Sequence, residues 1–208
     1  TAGSQAVYFT WTGQNVAIDG QGNFVVVWED QSGNDGGGWG IYGRRFAADG
    51  TPLGNDFVVN TTTSLDQSAP AIAMNAAGNF VVVWTDQNSG HIVGQRFAAN
   101  GSRQGGEFFV TASPGGGYGA TVAMDVAGNF VVAWTDQDDR DGDGWAVISQ
   151  RFDASGNKLG GEVIVNSTPT GNQWVNSLGM NDAGQYVVVW TDDTQDPDVS
   201  EGVYAQVF

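Results

Sequence analysis

The stretch AAGNFVVVWTDQ, residues 76–87, comes back three more times, as GQGNFVVVWEDQ at 20–31, VAGNFVVAWTDQ at 126–137 and DAGQYVVVWTDD at 182–193. In an extended chain successive side chains point to opposite faces, so Phe80, Val82 and Trp84 share one face and Val81 and Val83 the other. Both faces are apolar, which requires cover on both sides. An open single layer would alternate apolar with polar.

A second marker secures the repeat. Trp28, Trp84, Trp134 and Trp190 are spaced 56, 50 and 56 residues apart, and the Phe closing GRRF, GQRF, SQRF and AQVF falls at 46, 97, 152 and 208. A shared period of this size denotes stacked or radially arranged supersecondary units. In each unit a short strand (16–19, 71–75, 121–125, 178–181) leads through a Gly-containing turn into the FVVVW strand. A variable polar loop and a third strand follow. A DG, NG or SG turn then gives a fourth strand, as in DFVVN, EFFVT and EVIVN. Such dipeptides supply the positive φ that tight hairpins need.

No window sustains the i, i+3, i+4 apolar spacing of a helix. The fold expected is all-β, with four tandem antiparallel meander repeats at about 14–61, 70–112, 120–167 and 176–208 in one domain. Strands covered on both faces by copies of themselves describe a β-propeller, either four-bladed or part of a larger ring. The fourth strand is present in three repeats only, and AVYFTWT near the N-terminus is expected to supply the missing edge or to pack on the first repeat.

Net charge is −16, from 23 acids against 7 bases, and the single Lys and six Arg are scattered. Nucleic-acid binding, which leans on clustered cations, is not expected. Nor is membrane insertion, since no apolar run approaches the roughly 20 residues a spanning helix needs. With no cysteine there is no disulfide, thiolate chemistry or cysteine-bound zinc. TAGSQAV at the start carries no basic segment followed by an apolar run, which fits a mature, trimmed or intracellular chain.

The pattern G-N-F-V-V-V-W-x-D-Q, loop, I-Y-G-x-R-F, then F-V-V-N resembles the repeats of large secreted bacterial surface proteins and adhesins, over essentially the whole chain. The resemblance implies a propeller-like array, a secreted or cell-surface setting, and company with calcium-binding and adhesion modules.

Chemistry is expected in the loops that differ between copies. In TDQDDRDGDGWAV, Asp139, Asp141 and Asp143 followed by Gly144 match the opening of a calcium loop, in which alternate carboxylates wrap one hard cation; Asp136 is expected to help complete the shell. Trp11, Trp39, Tyr118, Trp145 and Trp174 lie in or near polar, Gly-rich connections, as a sugar-binding surface requires. The four Trp of the refrain belong to the core. Asp30, Asp86, Asp136 and Asp192, each two residues after that Trp, are expected to accept turn N–H groups. Arg45, Arg96 and Arg151 are expected to pin a carboxylate or a carbonyl. His91 is the only histidine and no G-x-S-x-G turn occurs, so the chain is expected not to be an enzyme. The reading is an extracellular glycan-binding module with calcium-stabilised loops. Its rivals are a structural or adhesive segment that self-associates and a carbohydrate-active propeller enzyme using two loop carboxylates.

Overall fold

The computed structural model describes residues 5–6, 14–33, 35–195 and 201–208. Every regular element among them is a β-strand. The first sheet holds β1 (Gln5–Ala6), β2 (Val16–Ile18), β3 (Phe24–Asp30), β4 (Gly40–Phe46) and β5 (Phe57–Val58). The second holds β6 (Gln67–Met74), β7 (Phe80–Asp86), β8 (His91–Phe97) and β9 (Arg103–Phe109). The third holds β10 (Gly117–Met124), β11 (Phe130–Asp136), β12 (Ala146–Phe152) and β13 (Val163–Ile164), and the fourth β14 (Gln173–Met180), β15 (Tyr186–Asp192) and β16 (Gly202–Val207). All pairs are antiparallel meanders, and the inner strands β2, β6, β10 and β14 contact one another in chain order. This is the β-propeller arrangement.

The two markers share a period because they are one contact. The Phe opening the second strand stacks on the Phe closing the third: Phe24 on Phe46 at 4.9 Å, Phe80 on Phe97 at 4.8 Å and Phe130 on Phe152 at 4.7 Å, with Tyr186 on Phe208 at 4.7 Å. Phe57 and Phe108, from outermost strands, then tilt against the stacked pair of the following sheet. The turn before each refrain is shaped by its first residue, whose side chain accepts N–H bonds: Asp19 from Asn23, Asn75 from Asn79, Asp125 from Asn129 and Asn181 from Gln185. Gly22, Gly78, Gly128 and Gly184 follow at φ between 80 and 89°, which favours glycine.

The middle sheets are covered on both faces, as expected: every residue from Phe80 to Trp84 and from Phe130 to Trp134 is buried. The end sheets differ. Val25 and Val27 are buried against the second sheet, yet Val16 and Ile18 on the inner strand are 56% and 63% exposed. Val188 is buried, while Val203 and Val207 of β16 are 72% and 71% exposed. Among the described residues, the chain-order row of four sheets leaves apolar side chains exposed at both ends. Gln14 ties its inner side together: its carbonyl accepts the Ile72 N–H at 2.9 Å and its Oε1 the Thr121 hydroxyl at 3.0 Å.

One boundary expectation changes, and one open alternative is narrowed. The inner strands begin at Gln67, Gly117 and Gln173, ahead of 70, 120 and 176, because each runs through a bulge, between Ser68 and Ala71, Tyr118 and Thr121, and Val175 and Ser177. A bulge breaks the strict alternation that marks a strand in sequence. From AVYFTWT only Ala6 is described. It pairs in β1 with Glu29 of β3, on the first repeat, the second of the two placements expected.

Candidate functional site

A cavity of about 490 Å³ opens between the third and fourth sheets, lined by Tyr118, Gly119, Thr135 and Gln137 of the third unit, Asn172, Trp174 and Val175 of the fourth, and Trp145 from the β11–β12 loop. Three of the five sequence-predicted aromatics therefore converge. Trp145 and Trp174 meet edge to face, with centroids 6.2 Å apart and planes at 70°. Trp39 lies at the junction of the first two sheets, away from this cavity, and Trp11 falls outside the described residues.

Backbone bonds between the two units hold the walls. Trp145 N–H donates to Asn172 Oδ1 at 3.3 Å, Gln173 N–H to Trp145 O at 2.9 Å, and Val175 N–H to Thr135 Oγ1 at 3.1 Å. Asp193 fixes Asn172, accepting its N–H at 2.8 Å and its Nδ2 at 3.0 Å. Gly144 has φ of 89° and packs against Gly171, so that a Cβ there would clash with the Gly171 carbonyl. Its lack of a side chain lets the Trp145 loop reach the fourth sheet.

Under this wall sits a buried knot. Asn166 Oδ1 accepts the Val147 N–H at 2.9 Å, and its Nδ2 donates to Gln173 Oε1 at 3.0 Å and Asp141 Oδ2 at 2.6 Å. Asn60 makes the matching set two junctions earlier, with Ile41, Gln67 and Asp35. The middle junction replaces it with His91 Nδ1 and Thr111 Oγ1 at 2.8 Å, the imidazole stacked on Phe109. His91 is part of the packing.

The calcium expectation is not supported. Among the described residues no group of three or more His, Asp or Glu side chains is placed to hold a metal ion. The carboxylates of D-x-D-x-D-G serve the loop and its neighbours: Asp139 Oδ1 accepts the Gly144 N–H at 2.9 Å, and Asp141 binds Asn166. Asp136 Oδ1 accepts the Asp138 N–H at 3.1 Å, and its Oδ2 lies 3.6 Å from Arg140. Asp143 is not drawn to them. Burial works against the Arg140 charge, but Glu162 at 2.6 Å and Asp136 more than offset it and raise the guanidinium pKa. Arg140 thus neutralises Asp136, one of the four carboxylates expected to hold calcium.

The repeated Asp, and two of the three repeated Arg, act as the sequence suggests. Asp30, Asp86, Asp136 and Asp192 each accept the N–H two residues on. Burial pushes the Asp192 carboxyl up, but hydrogen bonds from Gln195 and Thr194 outweigh it and hold the pKa below the ordinary value of 3.8. Arg45 and Arg96 each donate to a carbonyl of the next sheet, Asn100 O at 2.6 Å and Ala154 O at 2.8 Å.

No protein-family profile and no curated protein matches the sequence, so the resemblance to surface-protein repeats has no counterpart there. Solved structures do match. An endo-arabinase from Bacteroides thetaiotaomicron superposes with a TM-score of 0.53 at 14% identity, covering 98% of this chain and 78% of its own. An α-L-arabinofuranosidase from Fusarium graminearum, solved with an iminosugar inhibitor, gives 0.57 at 12% identity, over 94% of this chain and 62% of its own. A GH62 hydrolase solved with xylotriose gives 0.50 at 9%, over 93% and 64%. The fold is that of propeller-type glycoside hydrolases, of which this chain spans between about three fifths and four fifths. The expectation that the chain is not an enzyme is thereby overturned: it rested on the lack of a serine triad, and enzymes of this fold act on glycans without any such requirement on the fold.

Proposed function

We propose that this chain is a carbohydrate-active propeller whose sugar platform is the cavity walled by Tyr118, Trp145 and Trp174. The observation that carries the reading is the convergence of these three rings with the Thr135 hydroxyl and the Gln137 and Asn172 amides. A sugar offers an apolar C–H face and a rim of hydroxyls; the face stacks on indole while the rim bonds to amides. Net charge of −16 favours a neutral polymer over a polyanionic one. The shared fold makes arabinan and xylan fragments the first ligands to try. No carboxylate lines the cavity, so its part is to grip the polymer. A secreted or cell-surface setting, where polysaccharide is met, belongs to the same proposal. Titration with arabinotriose and xylotriose tests it. Trp174→Ala or Trp145→Ala should weaken binding about 10- to 100-fold, the worth of one buried large side chain. Unchanged affinity in both variants would refute the platform.

A second reading is favoured by the end sheets, whose exposed Val16, Ile18, Val203 and Val207 suit association with a further sheet. Sedimentation should then show mass rising with concentration; a monomer throughout speaks against assembly.

A further inference from the structure

The junction of the first and second sheets repeats the frame of the aromatic cavity bond for bond. Trp39 N–H donates to Asp66 Oδ1 at 2.9 Å, as Trp145 does to Asn172. Gln67 N–H donates to Trp39 O, as Gln173 does to Trp145 O. Ala69 N–H donates to Glu29 Oε2 at 3.2 Å, as Val175 does to the Thr135 hydroxyl. Four side chains are exchanged within this frame: Glu29 stands for Thr135, Asp66 for Asn172, Ser68 for Trp174 and Ala69 for Val175. The exchange trades an indole for a small hydroxyl and two neutral groups for carboxylates.

One exchanged residue and a shared neighbour are poorly satisfied. Glu29 is 3% exposed and its Oε1 has no partner; the Nε2 of Gln31, which corresponds to Gln137, is also buried without one. Ala69 holds φ of 54°, in the left-handed region that favours glycine, where the third sheet's inner strand has Gly119 at 61°. The other three repeats carry Thr at the Glu29 position (Thr85, Thr135 and Thr191), so the frame does not require a carboxylate. An acid that departs from its own repeat and leaves an acceptor bare costs stability. Such departures concentrate where a site binds something.

We propose that this junction is a second, acidic sugar position, in which Glu29 Oε1 accepts from a ligand hydroxyl, Gln31 Nε2 donates to an oxygen, and Trp39 backs the ring. Asp66 adds negative charge, so the position takes donor-rich, uncharged sugars and rejects uronates. The proposal rests on the carbohydrate reading above and separates from it experimentally. Calorimetric titration of the whole chain with arabinotriose should show two classes of site. Glu29→Thr installs the residue of the sister repeats and should raise the melting temperature, which reports that it folds. It should weaken one class about 10- to 100-fold, as for loss of a hydrogen bond to a charged group, and leave the other intact. Trp174→Ala should do the converse. A single class abolished by Trp174→Ala and untouched by Glu29→Thr overturns this inference and leaves the platform standing. Binding lost in Glu29→Thr but kept in Trp174→Ala supports the inference and refutes the platform. No binding by the unaltered chain ends both.

Discussion

Replacing Asn166 with Ala tests the interlock that holds the cavity. The amide is buried, and its removal leaves the Val147 N–H and Gln173 Oε1, both on fully buried residues, without their partner. A buried polar group left unsatisfied costs about 1–3 kcal/mol, so two cost roughly 2–6, with about 4 kcal/mol the central expectation. For a chain this size 1 kcal/mol moves the melting temperature by about 2–4 °C, which gives a fall of roughly 8–16 °C. Differential scanning calorimetry reads this directly. Asn60→Ala should fall by a similar amount, since its bonds to Ile41 and Gln67 match. Thr111→Ala, which loses only the His91 contact, should cost about 1 kcal/mol. Because Gln173 and Val147 sit beside Trp174 and Trp145, Asn166→Ala should also weaken arabinotriose binding. If Asn166→Ala were no worse than Thr111→Ala, the knot would not be what couples the sheets, and the reasoning would fail.

Three further outcomes follow from other contacts. An added Cβ at Gly94 would lie 2.5 Å from Phe108 Cζ, so Gly94→Ser should destabilise by about 1–3 kcal/mol; pairing it with Phe108→Val, which copies Ser149 opposite Val163, should recover part of the loss in a double-mutant cycle of urea melts. Asp192 has a depressed folded pKa, so its stabilisation is present above the ordinary value of 3.8 and is lost as pH falls through the folded value. The melting-temperature gap between the unaltered chain and Asp192→Asn should therefore hold at neutral pH and shrink below pH 3.8; a gap that widened in acid would contradict the assignment. Calcium or a chelator should leave the melting temperature unmoved, since one oxygen each of Asp139 and Asp141 already has a protein donor and no three carboxylates converge among the described residues. A rise of several degrees with calcium would restore the metal loop.

The sequence by itself determined everything that depends on neighbours along the chain. Alternation through Phe80 to Trp84 requires a strand covered on both faces, and the Asx and Gly residues ahead of it shape their turns with bonds spanning four residues. The Asp after each Trp could be read as a turn acceptor for the same reason. What only the tertiary structure decided is which copies face one another. Tyr118, Trp145 and Trp174 are far apart along the chain and meet because two sheets stack; Trp39, their look-alike in sequence, lies at another junction, where its N–H meets Asp66. The spacing that suggested calcium records the order of carboxylates, not the donors that arrive from other strands, and Asn166 and Glu162 come from outside the motif. Glu29 was overlooked although its signal was present, a WED among three WTD copies. Its meaning appears only when the opposing Ala69 N–H takes one carboxylate oxygen and nothing takes the other.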